Sequence, residues 1–172
     1  MTARDERAGN GRTGPRACEA PAQLVTAVFD QWAAAQIDAD GGVHGCPSPG
    51  QLAALDQLRA FLVSGEHPSV QATSLLAVAI GHLARFRHMA RDAPGPDEVW
   101  EVLPARCCVE HPAGDADRML AALLSCQLNS GADRAAESLQ VVVANASGRE
   151  VWELLVSAGR AWGYVQRAGA AL

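Results

Sequence analysis

Between Pro68 and Arg91 lies a run, Leu75-Leu76-Ala77-Val78-Ala79-Ile80, that is apolar on every side of a helix. At about 100° per residue, no face of that turn suits contact with water, so other elements must enclose it. This predicts a central buried helix over 68–91, about 36 Å long at the helical rise. Leu75, Leu76, Ala79, Leu83 and Phe86 share one arc, and Arg85, His88 and Arg91 lie opposite. The C-terminal half of the segment therefore returns to an amphipathic, surface-facing helix.

The enclosing elements announce themselves by their starts. Pro21 suits a first helical turn, where its missing N–H costs nothing. Ser48 with Gln51, Ser130 with Asp133, and Ser147 with Glu150 each set a hydroxyl three residues ahead of a side chain that can reach back, the spacing of a capping box. Turn-forming stretches at Asp40-Gly41-Gly42, Ser64-Gly65, Ala93-Pro94-Gly95-Pro96, His111-Pro112-Ala113-Gly114 and Gly148 separate the segments. Helices are expected over 21–39, 49–64, 68–91, 96–103, 115–129, 131–146 and 149–169. Val141-Val142-Val143 has strand character, but an isolated strand has no ladder partner, so helix is the reading there. Short connections make neighbours antiparallel. The expected fold is all-α, an antiparallel helical bundle of about six or seven helices built around 68–91.

Residues 1–19 carry four arginines and three glycines and no aromatic or aliphatic side chain larger than alanine apart from Met1 and Pro15, which cannot offset the entropy of ordering. They read as a disordered head, with 20–172 as a single helical domain. Gly9, Gly11 and Gly14 match a dinucleotide-loop spacing, but no strand precedes them.

Composition narrows function mainly by exclusion. All fourteen cations are arginine, and without lysine there is no Schiff-base chemistry, no Ser-x-x-Lys nucleophile and no phosphate-gripping lysine. A lysine-free chain crowded with Ala, Arg, Gly and Pro reads as the product of a GC-rich bacterial genome, so its alanine content is discounted as a helix signal. Beyond Glu19, sixteen carboxylates face ten arginines, an acidic balance that speaks against nucleic acid or an anionic membrane as partner. The longest apolar stretch is too short to span a bilayer. Five irregularly spaced cysteines behind a polar N-terminus fit a reduced cytoplasm.

Three groups of residues are candidates for a site. His44, Cys46, Cys107, Cys108 and His111 fall in loops after the first and fourth expected helices, and their thiolate and imidazole ligands could close a tetrahedral zinc site. The same residues could instead supply a Cys-His nucleophile pair. Arg85, His88 and Arg91 form a basic group suited to an anion, although seven carboxylates between Asp92 and Asp117 offer intramolecular partners. Trp152, Leu155, Gly159 and Trp162 make a stripe in which two indoles bracket small residues. Such a stripe packs either inside the bundle or against a partner helix. No local signature of a hydrolase elbow, a zinc-protease helix or a glycosidase carboxylate pair is present. The functional expectation is a non-catalytic protein-protein interaction, accessory or regulatory protein, self-associating or binding another protein through that stripe. The alternative is a metal- or thiol-dependent small-molecule enzyme or sensor.

Overall fold

The computed structural model describes residues 19–38, 49–64, 67–90, 99–104 and 113–170, apart from the side chains of 19–20, 35–38, 87–90 and 167–170. Five helices account for nearly all of them: α1 (Glu19–Asp38), α2 (Pro49–Ser64), α3 (Pro68–Ala90), α4 (Asp115–Asn145) and α5 (Gly148–Ala170). The all-helical bundle follows the sequence reading, but the count among the described residues is five rather than six or seven. The expected disordered head lies outside the described residues, except that its last residue, Glu19, opens α1.

α3 packs against all four other helices, the position that its all-round apolar turn demands. Leu75, Leu76 and Ala79 have no exposed surface, and Ile80 and Leu83 almost none. Around them lie Val25, Val28 and Phe29 of α1, Ala54 and Leu58 of α2, Leu120, Leu124 and Leu139 of α4, and Leu155, Ala158 and Trp162 of α5. Val25 and Phe29, Ala54 and Leu58, Leu120 and Leu124, and Leu155, Ala158 and Trp162 follow three- and four-residue steps, which keeps one stripe of each helix on the common core. α1 and α5 also pack directly on one another.

The helix count drops for two separate reasons. Expected helices 115–129 and 131–146 are both formed and abut with no connecting loop, so they are numbered together as α4, with a break at the expected boundary, Gly131, whose φ of 84° and ψ of 175° belong to no helix. Ser130 makes no side-chain bond to Asp133 among the described residues, so the glycine breaks the axis without the expected cap. The expected helix over 96–103 is absent across 99–104, where the chain is not helical; 96–98 lie outside the described residues. Pro104 and the β-branched Val99 and Val102 favour extended backbone. Side chains of α4 also accept the N–H bonds that a helix would have used.

The Val141–Val143 run is helical, as expected. At the entry to α5 the full capping box forms: Ser147 Oγ accepts the Glu150 N–H at 3.3 Å, and Glu150 Oε2 accepts the Ser147 N–H at 2.7 Å. That hydroxyl and amide hold the Glu150 carboxyl below its ordinary range.

Candidate functional site

Three arrangements of polar and aromatic side chains stand out, and their differing access to solvent decides what each can do. The first joins α1, α3 and α5 around Trp162. The Trp162 indole lies flat on the His82 imidazole, ring centroids 3.5 Å apart and planes 10° apart, while Phe29 meets it edge-on at 5.3 Å. Trp162 Nε1 donates to Asp30 Oδ1 at 3.0 Å, and Gln166 Nε2 donates to the same oxygen at 3.3 Å. One turn before Trp162, Gly159 lets α1 come close: a β-carbon there would stand 3.2 Å from Trp32 Cε3 and 3.4 Å from Phe29 Cε1. Trp32 Nε1 and His82 Nε2 are both buried without a hydrogen-bond partner. Burial pushes the His82 imidazole below its ordinary value, the Asp30 carboxylate partly opposes this, and Arg85 adds to the lowering.

The second arrangement is a buried ionic network at the start of α4. Asp117 Oδ2 accepts the Gly114 N–H at 3.0 Å, capping the helix from its third residue. Its Oδ1 accepts Ser157 Oγ at 2.5 Å and Arg160 Nη2 at 2.9 Å, both from α5. Ser157 has no exposed surface, so its hydroxyl cannot reach a substrate, and the network serves to dock α5 on α4. The neighbouring Arg118–Asp115 pair is fully on the surface.

The third is the segment 99–104. Trp100 and Val102 are buried, while Val99, Glu101 and Leu103 are exposed, the alternation of an extended chain. Asn129 meets this segment as a neighbouring strand would. Its Oδ1 accepts the Trp100 N–H at 2.7 Å and its Nδ2 donates to the Trp100 carbonyl at 2.9 Å. Two residues on, Ser125 Oγ accepts the Val102 N–H at 3.1 Å. One edge of the extended chain is thereby clamped to α4. On the other edge, no hydrogen bond to the backbone of Val99, Glu101 or Leu103 occurs among the described residues. Val99 and Leu103 are 76% and 70% exposed.

The residues singled out from sequence fare differently. Leu155, Gly159 and Trp162 are buried inside the chain against α1 and the core, so this part of the expected interaction stripe is already occupied. Its reason is the glycine, which draws α1, rather than a second molecule, into the groove. Trp152, at the other end, is half-buried, with the Arg59 guanidinium 5.4 Å from its ring centroid. Arg85 is exposed, while the His88 side chain and Arg91 lie outside the described residues. His44, Cys46, Cys107, Cys108 and His111 lie outside them as well. Among the described residues no group of three or more His, Cys, Asp or Glu side chains could hold a metal ion. No helix there is long and apolar enough to cross a membrane.

Sequence reasoning missed the 99–104 edge, Asn129 and Ser125. The available signal was weak: a short stretch rich in Val and Trp ending in proline, which favours extended backbone over helix. Comparison with protein-family models, with curated proteins and with solved structures found no match to this chain.

Proposed function

We propose that the protein is a non-catalytic binding module, an accessory or regulatory protein that docks another protein through the outward edge at Val99–Leu103 rather than through the α5 stripe. One observation carries this reading: an extended chain clamped along one edge by Asn129 and Ser125 presents two large apolar side chains on its other edge, where the backbone of Val99, Glu101 and Leu103 makes no hydrogen bond among the described residues. Exposed valines and leucines are common on folded surfaces, and Val63, Val70 and Val141 are equally open. Those three sit on helices, whose backbone groups run along the helix axis and offer no extended edge of alternating donors and acceptors. Only at 99–103 do apolar side chains and available backbone donors and acceptors coincide among the described residues, the combination that strand addition uses. A bacterial cytoplasm as its setting is read from composition and cysteine number.

Selection from a displayed library of short random peptides tests this reading. Peptides enriched on the wild-type chain should lose binding to a Val99→Asp/Leu103→Asp variant whose helical content and melting temperature are unchanged. Equal enrichment on both proteins would remove 99–103 as the docking edge.

A further inference from the structure

The charge at the middle of the open edge says what kind of partner it fits. Val99, Glu101 and Leu103 project to the same outward side, so the edge reads apolar, anionic, apolar. In an antiparallel pair, directly opposed residues project to the same face with their β-carbons about 4.5–5.5 Å apart. A segment added to this edge therefore sets three of its own side chains beside Val99, Glu101 and Leu103. The geometry points to an extended peptide with an arginine or lysine at the central one of these positions and an apolar residue two places to either side.

A second copy of this chain is disfavoured by the same geometry. The antiparallel register that sets each Val99 against the partner copy's Leu103 also sets Glu101 against Glu101, and like charges directly opposed destabilise a pair. Moving the register by two residues relieves the carboxylates only by placing each beside a valine or a leucine. An outward charge at the centre of an exposed edge is a recognised device against edge-to-edge aggregation. Here it also selects a cation. Beyond Glu19 the chain carries sixteen carboxylates against ten arginines, so long-range attraction favours the same cationic partner.

This inference rests on the docking reading above and deepens it, and the test separates the two. Two blocked peptides are compared on the full chain, Thr-Val-Thr-Arg-Thr-Val-Thr and the same peptide with glutamate in place of arginine. A third carries the arginine but is N-methylated at alternate amides. The arginine peptide should bind roughly tenfold more tightly than the glutamate peptide at low salt, Glu101→Arg should invert that preference, and N-methylation should abolish binding. Amide chemical-shift changes should centre on 99–103. Equal affinity for the two charges, with binding still lost in Val99→Asp/Leu103→Asp, would overturn the charge assignment and leave the docking edge standing. Undiminished binding of the N-methylated peptide would overturn strand addition. A concentration-dependent dimer in light scattering, abolished by Val99→Asp/Leu103→Asp, would assign the edge to a second copy. Failure of all three peptides to bind at millimolar concentration would overturn both readings.

Discussion

The imidazole of His82 lies 3.5 Å from the indole of Trp162, ring on ring, with its Nε2 buried and unpartnered. A proton added to the ring must then be carried in a partly dry site with Arg85 nearby, and Nε2 has nothing to donate to. Trp162 also ties Asp30 of α1 to the same stack, so the state of the imidazole is felt where three helices meet.

Because burial lowers the His82 pKa in the folded chain, the unfolded chain binds the proton more readily. Stability contributed by the neutral ring is fully present above the ordinary histidine value, and falls as pH drops from there through the folded-state value. Thermal melts between pH 7.5 and pH 5 should show this loss. His82→Phe keeps an aromatic plane over Trp162 without a proton, and should flatten that part of the profile. An unchanged slope in the variant would place the titration elsewhere.

Asp117 should be the most sensitive polar residue among those described. Asp117→Ala strands the fully buried Ser157 hydroxyl, removes the acceptor of the Gly114 amide and leaves Arg160 to solvent. The expected loss is about 2–4 kcal/mol in urea unfolding. Asp117→Asn keeps an acceptor oxygen and should cost less. Reverting both partners together, as Asp117→Ala/Ser157→Ala, should cost less than the sum of the single changes.

Two glycines with equally open surroundings should respond in opposite directions. A β-carbon at Gly131 meets nothing within 4 Å, yet its φ of 84° is one that L side chains rarely adopt. Gly131→Ala should therefore destabilise by about 1–3 kcal/mol. Gly81, inside α3 and also free of neighbours within 4 Å, carries no such backbone constraint. Gly81→Ala should stabilise by about 0.5–1 kcal/mol through helix propensity. Chemical denaturation midpoints of the pair distinguish a conformational cause from a packing one.

At Gly159 the balance reverses, because space is what is missing. An alanine β-carbon 3.2 Å from Trp32 would have to displace a buried ring, and overpacking typically costs about 1–3 kcal/mol against a propensity gain of about 1. Gly159→Ala should be net destabilising, and near-ultraviolet circular dichroism should register the moved indole.

How far these features were legible depends on the range of the interaction that creates them. The all-round apolar turn of α3 is written in consecutive residues, and its central place followed from them. Ser147 and Glu150 cap α5 across three residues, and this too was readable. Asp117 meets Ser157 across forty residues and Trp162 meets Asp30 across 132, so neither pairing has a local signature. The Trp152–Trp162 stripe was visible as a face, but whether another helix of the same chain covered it depended on the path of α1. The edge at 99–103 was hidden for the complementary reason. An amide from Asn129, 29 residues away, does the work of a neighbouring strand, and no helix or strand pattern in the segment itself records it.

The pairing of α1 with α5 also sets a timetable. During synthesis at roughly 5–20 residues per second, Asp30 emerges some 7–26 s before Trp162 arrives to bond with it. For that interval Val25, Val28 and Phe29 belong to a helix whose permanent neighbour has yet to be made. The ribosome-bound chain must therefore shelter α1 on α2 and α3, its other two neighbours, before α5 takes its place. A cell that slowed translation between these helices would lengthen the period in which the α5-facing side of α1 is without its cover.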